Sequence, residues 1–461
     1  MEHIKEQICQ SLEDMKQRNL RLTGGLTDRV FITDYNHLVR QGDDNKNAVS
    51  VWTDALNTAL REHQVVVIPP REQPYYMDSS IIVPSNRHII ATGAVIRQMT
   101  DVRLLLLRNE HVHDGTHFPF SGEDKDCNIA ITGGRWEESY NTRVGYGSSG
   151  RVDESQDFFG VGACMLFNNL ENLTVTDVTF SHAAGFAIQT GNVRNAVFEN
   201  ITFEHCFGDG VHVNGNTENV LIRHIQGEVG DDLVALNMYD WLNSSVTFGP
   251  MRNVLCEHLN QYESSHYKAL RILPGVYYYD DGTAVDCSAD NLIIRDVKGI
   301  RTFKMYFQTP RYDLGTEPER GDVGTGNNIF FENISIDLTE PVDGLPVYVH
   351  SDPLRGYFGA FEINANLGTV VLENIDITLH KDQYPLSRLV CIGPKSACSN
   401  NSEAFDPYLS SVTQKLILKN ITVNGSRDFD VKDIVQQISF NDINQDGHST
   451  GSGKVLEIEV I

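Results

Sequence analysis

Phe207-Gly-Asp-Gly-Val-His-Val-Asn214 and Val229-Gly-Asp-Asp-Leu-Val-Ala-Leu-Asn237 decide how this chain is read. Laid under each other, Val211 matches Val234 and Asn214 matches Asn237, an offset of 23 both times. At that offset Asp209 falls on Asp232, and Asp231 falls on Gly208. If each repeat is one coil of a stacked sheet, Asp209 and Asp232 stand about 4.8 Å apart, with Asp231 beside them. Carboxylates this close repel each other. That is costly in a structural role and useful for separating an acid from a base.

Outward from these turns the chain repeats itself. Asn172-Leu-Thr-Val-Thr-Asp-Val-Thr-Phe180, Asn195-Ala-Val-Phe-Glu-Asn-Ile-Thr-Phe203, Asn219-Val-Leu-Ile-Arg-His-Ile225 and Asn253-Val-Leu-Cys-Glu-His-Leu259 share one pattern. Units beginning at Asn291, Asn328, Thr369 and Lys415 continue it, and earlier ones begin at Asn86 and Asn128. Each has alternating apolar residues, a polar bend and a second short strand. From Asn172 the spacings are 23, 24, 34, 38, 37, 41 and 46 residues. The short spacings match a single coil of a parallel β-helix. The long ones are a coil plus a loop on one face, which would wall a cleft around the aspartates. A β-propeller would need regular antiparallel blades and ranks well below. Asn200-Ile-Thr and Asn420-Ile-Thr are read as bends of the coil, not as glycosylation sites.

Before the repeats, Ile4, Ile8, Leu12 and Met15 have helical spacing, as do Val49, Trp52, Ala55, Leu56 and Leu60. Val65-Val-Val-Ile-Pro-Pro70 reads as a buried strand. The expected organisation is a helical capping segment over 1–70. An all-β, single-stranded right-handed parallel β-helix then runs over 71–461. The chain's 461 residues exceed a usual domain, but a solenoid has no such limit because each unit packs only on its neighbours.

Sixty-two acidic residues against 37 Lys and Arg give a net charge of −25. That argues against nucleic acid and anionic membranes as partners. It leaves room for an anionic sugar bound in a local basic pocket. No apolar run reaches membrane-spanning length, and the first residues carry no basic head followed by an apolar stretch; a cytoplasmic protein is the expectation. The eight cysteines include no Cys-X-X-Cys pair and are read as reduced thiols, with a Cys391–Cys398 bridge possible only in an oxidising compartment. Asp442-Ile-Asn-Gln-Asp-Gly447 opens like a calcium loop, but its twelfth position is Gly453, not the closing Glu, so it is read as a turn.

These motifs resemble the polygalacturonase-type glycoside hydrolases (family 28) within the pectate-lyase-like β-helices, over roughly residues 30 to 425. Gly230-Asp-Asp-Leu-Val-Ala-Leu236 is similar to the family's Gly-Asp-Asp-Cys-Ile-Ala-Ile. Phe207-Gly-Asp-Gly-Val-His212 resembles its Asn-Thr-Asp-Gly-Ile-Asp but keeps only the aspartate and glycine. Ser265-His-Tyr267 lies where the family has Gly-His-Gly, and Gly299-Ile-Arg-Thr-Phe-Lys304 where it has Gly-Val-Arg-Ile-Lys. Ile131-Thr-Gly-Gly-Arg-Trp136 is similar to its Gly-Gly-rich coil.

The resemblance implies an inverting hydrolase needing no metal or cofactor, with Asp231 as the acid and Asp209 and Asp232 holding the attacking water. Acid and base would then stand about 6.5–9.5 Å apart. It also implies an Arg/Lys pair on a galacturonate carboxylate. Arg301 fits that pair, whereas Lys304 comes one position late. On alternating strand geometry Lys304 would face away from Arg301 unless the chain bends. Substrate contacts are expected from His266, Lys268, Arg271, Arg301 and Lys304, and from Tyr239, Trp241 and Tyr306, whose rings suit sugar faces. For any single aromatic residue, loop packing is the commoner role. Exo action on short, galacturonide-containing oligosaccharides is the leading reading, with a neutral sugar open. A β-helix lyase, fructotransferase or epimerase is the rival enzyme, and a non-catalytic carbohydrate-binding β-helix the rival outside catalysis.

Overall fold

The computed structural model describes the chain except residues 101, 103–104, 113–124, 140–162, 241–244, 279–280, 307–323, 340–356, 394–409 and 439–451. The repeats stack as coils of a right-handed parallel β-helix. Leu173 pairs in parallel with Ala196, then Val220, Val254, Leu292, Ile329, Val370 and Leu416 follow in one continuous register. All of them lie in the central core.

The asparagine that opens most units has a structural cause. Asn86, Asn128, Asn172, Asn195, Asn219, Asn253, Asn291 and Asn328 all adopt the left-handed conformation, with φ between 55° and 63°. Asparagine tolerates that region better than most side chains. From Asn128 onward each amide nitrogen also donates to the side-chain oxygen of the asparagine one coil below, as in Asn195 to Asn172 at 3.1 Å and Asn291 to Asn253 at 3.0 Å. Stacked coils thus satisfy polar groups that a bend would otherwise leave buried. A second ladder lies five residues on and includes Asn200 and Asn420, at φ 57° and 53°. Both are bends, as the sequence pattern predicts.

The N-terminal region departs from the expected cap. The solenoid starts well before residue 71: Arg29–Phe31 pairs in parallel with Val65–Val67, which pairs with Arg87–Ile90. Helix α2 (Thr53–Glu62) packs on this first coil through Ala55, Leu56, Ala59 and Leu60. Helix α1 (Glu2–Gly24) instead runs along the flank of the stack. Its Ile8, Leu12 and Met15 cover an in-register outer column formed by Val197, Leu221, Leu255, Ile293, Phe330, Val371 and Ile417. A coil spacing of about 4.8 Å corresponds to about 3.2 residues of helix at 1.5 Å each. A helix with apolar residues every three or four positions therefore meets one coil per turn. Ion pairs from Lys5 to Glu332 and Glu373, Lys16 to Glu199, and Arg223 to Glu13 line the seam.

Among the described residues all seven cysteines are free thiols; Cys398 and the Asp442–Gly447 turn lie outside them. No helix among them is long and apolar enough to cross a membrane.

The short strands Val211–Asn214, Val234–Asn237, Ala269–Leu273, Thr302–Tyr306 and Phe358–Asn364 stack in order. Val211, Val234, Leu270, Phe303 and Phe361 point into the core. Their alternate neighbours His212, Ala235, Arg271, Lys304 and Glu362 form one register column on the outer face.

Candidate active site

Gly208 and Gly230 make the two aspartate turns possible. A Cβ on Gly208 would come within 2.3 Å of the Gly185 carbonyl oxygen, and one on Gly230 within 2.4 Å of that of Phe207. Successive coils touch backbone to backbone here, so the aspartates that follow sit close together on adjacent coils. The Asp232 N–H donates to Asp209 Oδ1 at 3.1 Å, and the Gly210 N–H to the Asp232 carbonyl at 2.9 Å. Asp231 donates its N–H to the Gly208 carbonyl at 3.2 Å, in the register read from the sequence.

Carboxylate oxygens of Asp209, Asp231 and Asp232 lie within 4.8 Å of one another. All three residues are buried, with exposures of 3%, 8% and 0% in that order, so Asp231 keeps the most access. Burial pushes the Asp232 carboxyl well above the usual carboxylate range, the Arg271 guanidinium opposes this, and the charges of Asp231 and Asp209 add to it. Burial and the two neighbouring carboxylates thus favour the neutral form of Asp232, while the resemblance gives the acid role to Asp231. Neither Asp232 oxygen accepts an aligned hydrogen bond from the described protein.

Arg271 reaches both members of the Asp-Asp pair. Its Nη2 donates to Asp231 Oδ1 at 3.0 Å, and its Nε lies 2.8 Å from Asp232 Oδ2 as a charge contact. Three carboxylates could share a cation, but Arg271 already supplies the counter-charge. Two other acidic groups with metal-like spacing are engaged in the same way. Asp126 accepts from Ser85, Asn109 and His111, and Glu257 pairs with Arg223 and Arg295.

Lys304 stands beside Arg271 in the register, with Phe303 turned into the core. It therefore faces the aspartates, and its charge acts on Asp232. The basic pair beside the cluster is thus Arg271 and Lys304, not Arg301 and Lys304. Arg301 precedes the strand and donates its N–H to the Lys268 carbonyl at 2.9 Å. Lys268 pairs with Glu263, and Arg301 Nη2 lies 3.7 Å from the same carboxylate. The Tyr267 ring lies between these groups, 5.2 Å from the Arg271 guanidinium carbon and 5.3 Å from Lys304 Nζ. His266 is exposed in the turn before it.

Tyr239 needs correction as a sugar contact. It is 2% exposed and belongs to the core, 6.0 Å from Phe248 between ring centres. Gly275 packs against its ring so closely that a Cβ there would meet it at 2.4 Å. Tyr277, on the strand Gly275–Tyr278, stacks on Phe248 at 4.2 Å and belongs to the same core. Trp241 lies outside the described residues. Tyr306 ends its strand, and its side chain is also outside what is described.

Sequence reasoning missed His212. It is 1% exposed and lies 2.6 Å from Asp209 Oδ2 through Nδ1. Its ring stacks on Phe186 at 4.0 Å, and its Nε2 lies 3.2 Å from Asn214 Nδ2 and 3.5 Å from Asp240 Oδ2. The signal was present: His212 occupies the last place of the Asn-Thr-Asp-Gly-Ile-Asp pattern, where the family has an aspartate.

No protein family and no curated protein matches the chain in sequence. Solved structures with a similar course include an exopolygalacturonase from Thermotoga maritima, 13% identical over 96% of each chain with a TM-score of 0.49. An endo-xylogalacturonan hydrolase from Aspergillus tubingensis is 14% identical over 91% of this chain and 99% of its own, with a TM-score of 0.48. A family 28 exopolygalacturonase from Yersinia enterocolitica is 11% identical over 94% of this chain and 78% of its own, at 0.47. At such identities the chemistry has to be argued from the residues themselves.

Proposed function

We propose that this protein hydrolyses glycosidic bonds in short oligosaccharides, with Asp209, Asp231 and Asp232 as its catalytic carboxylates. The observation that carries this reading is the enclosed cluster of three carboxylates on two successive coils, bridged by one arginine. Like charges this close share protons. One protonated and one ionised carboxyl group at a single site is what glycoside cleavage requires. In this proposal the Asp231/Asp232 pair holds the proton and Asp231, the most accessible, presents it to the leaving oxygen. Asp209, with donors on both oxygens, orients the attacking water.

Inversion follows from that division of roles. Retention, with one carboxylate attacking the anomeric carbon, is the alternative outcome for such a pair of carboxyl groups. Proton NMR of the first-formed anomer from trigalacturonate separates the two. A new absorbance from an unsaturated uronide would instead support a lyase.

A galacturonide is the favoured substrate. Arg271 and Lys304 stand in register beside the cluster and bring two cations to the site within a protein of net charge −25. The lengthening spacings after Asn219, from 34 to 46 residues, give chain enough to wall one end of a groove, and on that ground we propose exo action. Assay of trigalacturonate against a neutral trisaccharide tests the class: hydrolysis of neither would remove the proposal.

A further inference from the structure

We infer that His212 is a positioning residue that donates its Nδ1–H to Asp209 as a neutral imidazole, an inference that rests on Asp209 being the water-orienting base.

The tautomer follows from Asn214. Its Oδ1 accepts the backbone N–H of Val246 at 3.1 Å and Gln189 Nε2 at 2.9 Å. A backbone N–H can only donate, so that atom is the oxygen and the amide cannot be reversed. Its Nδ2 then faces the Asn237 carbonyl oxygen at 3.3 Å and His212 Nε2 at 3.2 Å. Both partners must accept. His212 Nε2 therefore presents a lone pair, and the ring proton is on Nδ1, 2.6 Å from Asp209 Oδ2. Asp240 Oδ2, the other group facing Nε2, is further off at 3.5 Å and takes the Asn237 Nδ2–H at 2.7 Å.

The ring has no freedom to do otherwise. It is 1% exposed, and it stacks on Phe186 at 4.0 Å and 20°. With the Asp232 N–H on Oδ1, the His212 N–H on Oδ2 fixes the Asp209 carboxylate about its own side-chain torsions. A base that must aim a water at one carbon gains from such fixing, because misplacement by about 1 Å can cost about 10²-fold in rate.

The test compares His212→Leu, which fills the space without a donor, with His212→Asn, which keeps an N–H near the Nδ1 position. On trigalacturonate we expect kcat of His212→Leu to fall about 10–100-fold, the loss of one hydrogen bond to a charged group, with KM within about 2-fold. His212→Asn should recover most of that rate. An equal fall in both variants would overturn the inference, as would a loss confined to KM. Ring 15N chemical shifts of the unmutated, histidine-labelled protein give a readout that does not need the substrate. A protonated Nδ1 with an unprotonated Nε2 supports the inference; the reverse, or two protonated nitrogens, overturns it. If trigalacturonate is not cleaved at all, the hydrolase reading fails, while the ring spectrum still decides the His212–Asp209 bond. If His212→Leu does not fold, the spectrum and His212→Asn decide.

Discussion

Asp232 lies one coil beyond Asp209, and its backbone N–H donates to the Asp209 carboxylate at 3.1 Å. The backbone of one acidic residue thus orients the side chain of the other. Coil stacking, not a loop, sets the geometry of the cluster, so substitutions within it should change chemistry with little effect on the fold.

Asp231→Asn should lower turnover of trigalacturonate by about 10²–10⁴-fold, the usual contribution of a positioned acid. With an activated aryl leaving group the loss should be much smaller, because that departure needs little protonation. Equal losses on the two substrates would move the acid role to Asp232.

Lys304→Ala should reduce kcat/KM on a uronide by about 10–100-fold, the worth of a hydrogen bond to a charged group. It should leave a neutral oligosaccharide much less affected, whereas Arg301→Ala should discriminate less, since Arg301 lies with Lys268 at Glu263. The measurement is kcat/KM of each variant on both sugars. A uniform loss would make the basic residues shapers of the cleft rather than carboxylate contacts.

Activity should survive chelators, because Arg271 already neutralises the Asp231/Asp232 pair. Dialysis against EDTA followed by assay with and without added calcium checks this. Activity lost and restored by calcium would favour the lyase.

Glu138 should make stability fall as pH rises. Burial pushes its carboxyl up to about 8 from an ordinary 4.5, and the Ala184 N–H on Oε2, at 2.7 Å, only partly offsets this. Between those values the folded protein binds a proton that the unfolded chain does not, so stability is lost through that window and the loss is complete above it. Glu138→Gln should therefore raise stability by a few kcal/mol at pH 9 and change little at pH 4.5. Urea midpoints of both proteins across that range provide the check.

Leu12→Ala in α1 should cost about 2–5 kcal/mol, since Leu12 is fully buried against the outer aliphatic column. Urea unfolding measures it. A change below about 0.5 kcal/mol, the size of a surface effect, would mean that the flanking helix is not part of the cooperative unit.

The sequence by itself determined the coil. Apolar alternation, an asparagine at most bends and the offset of 23 between the aspartate turns are local, periodic signals. A solenoid converts periodicity directly into contact, because each residue's neighbour is its equivalent one repeat away. Hence Asp209, Asp231 and Asp232 could be brought together on paper. Tertiary structure alone decided what enters from outside that period. The flank taken by α1 depends on an outer column contributed by seven separate coils. Which arginine reaches the aspartates depends on the register after a 36-residue offset, Ala235 to Arg271, which no motif encodes. The burial that raises the Asp232 carboxyl, and the fixed amide of Asn214 that faces His212 Nε2, arise from groups that meet only when the coils are stacked.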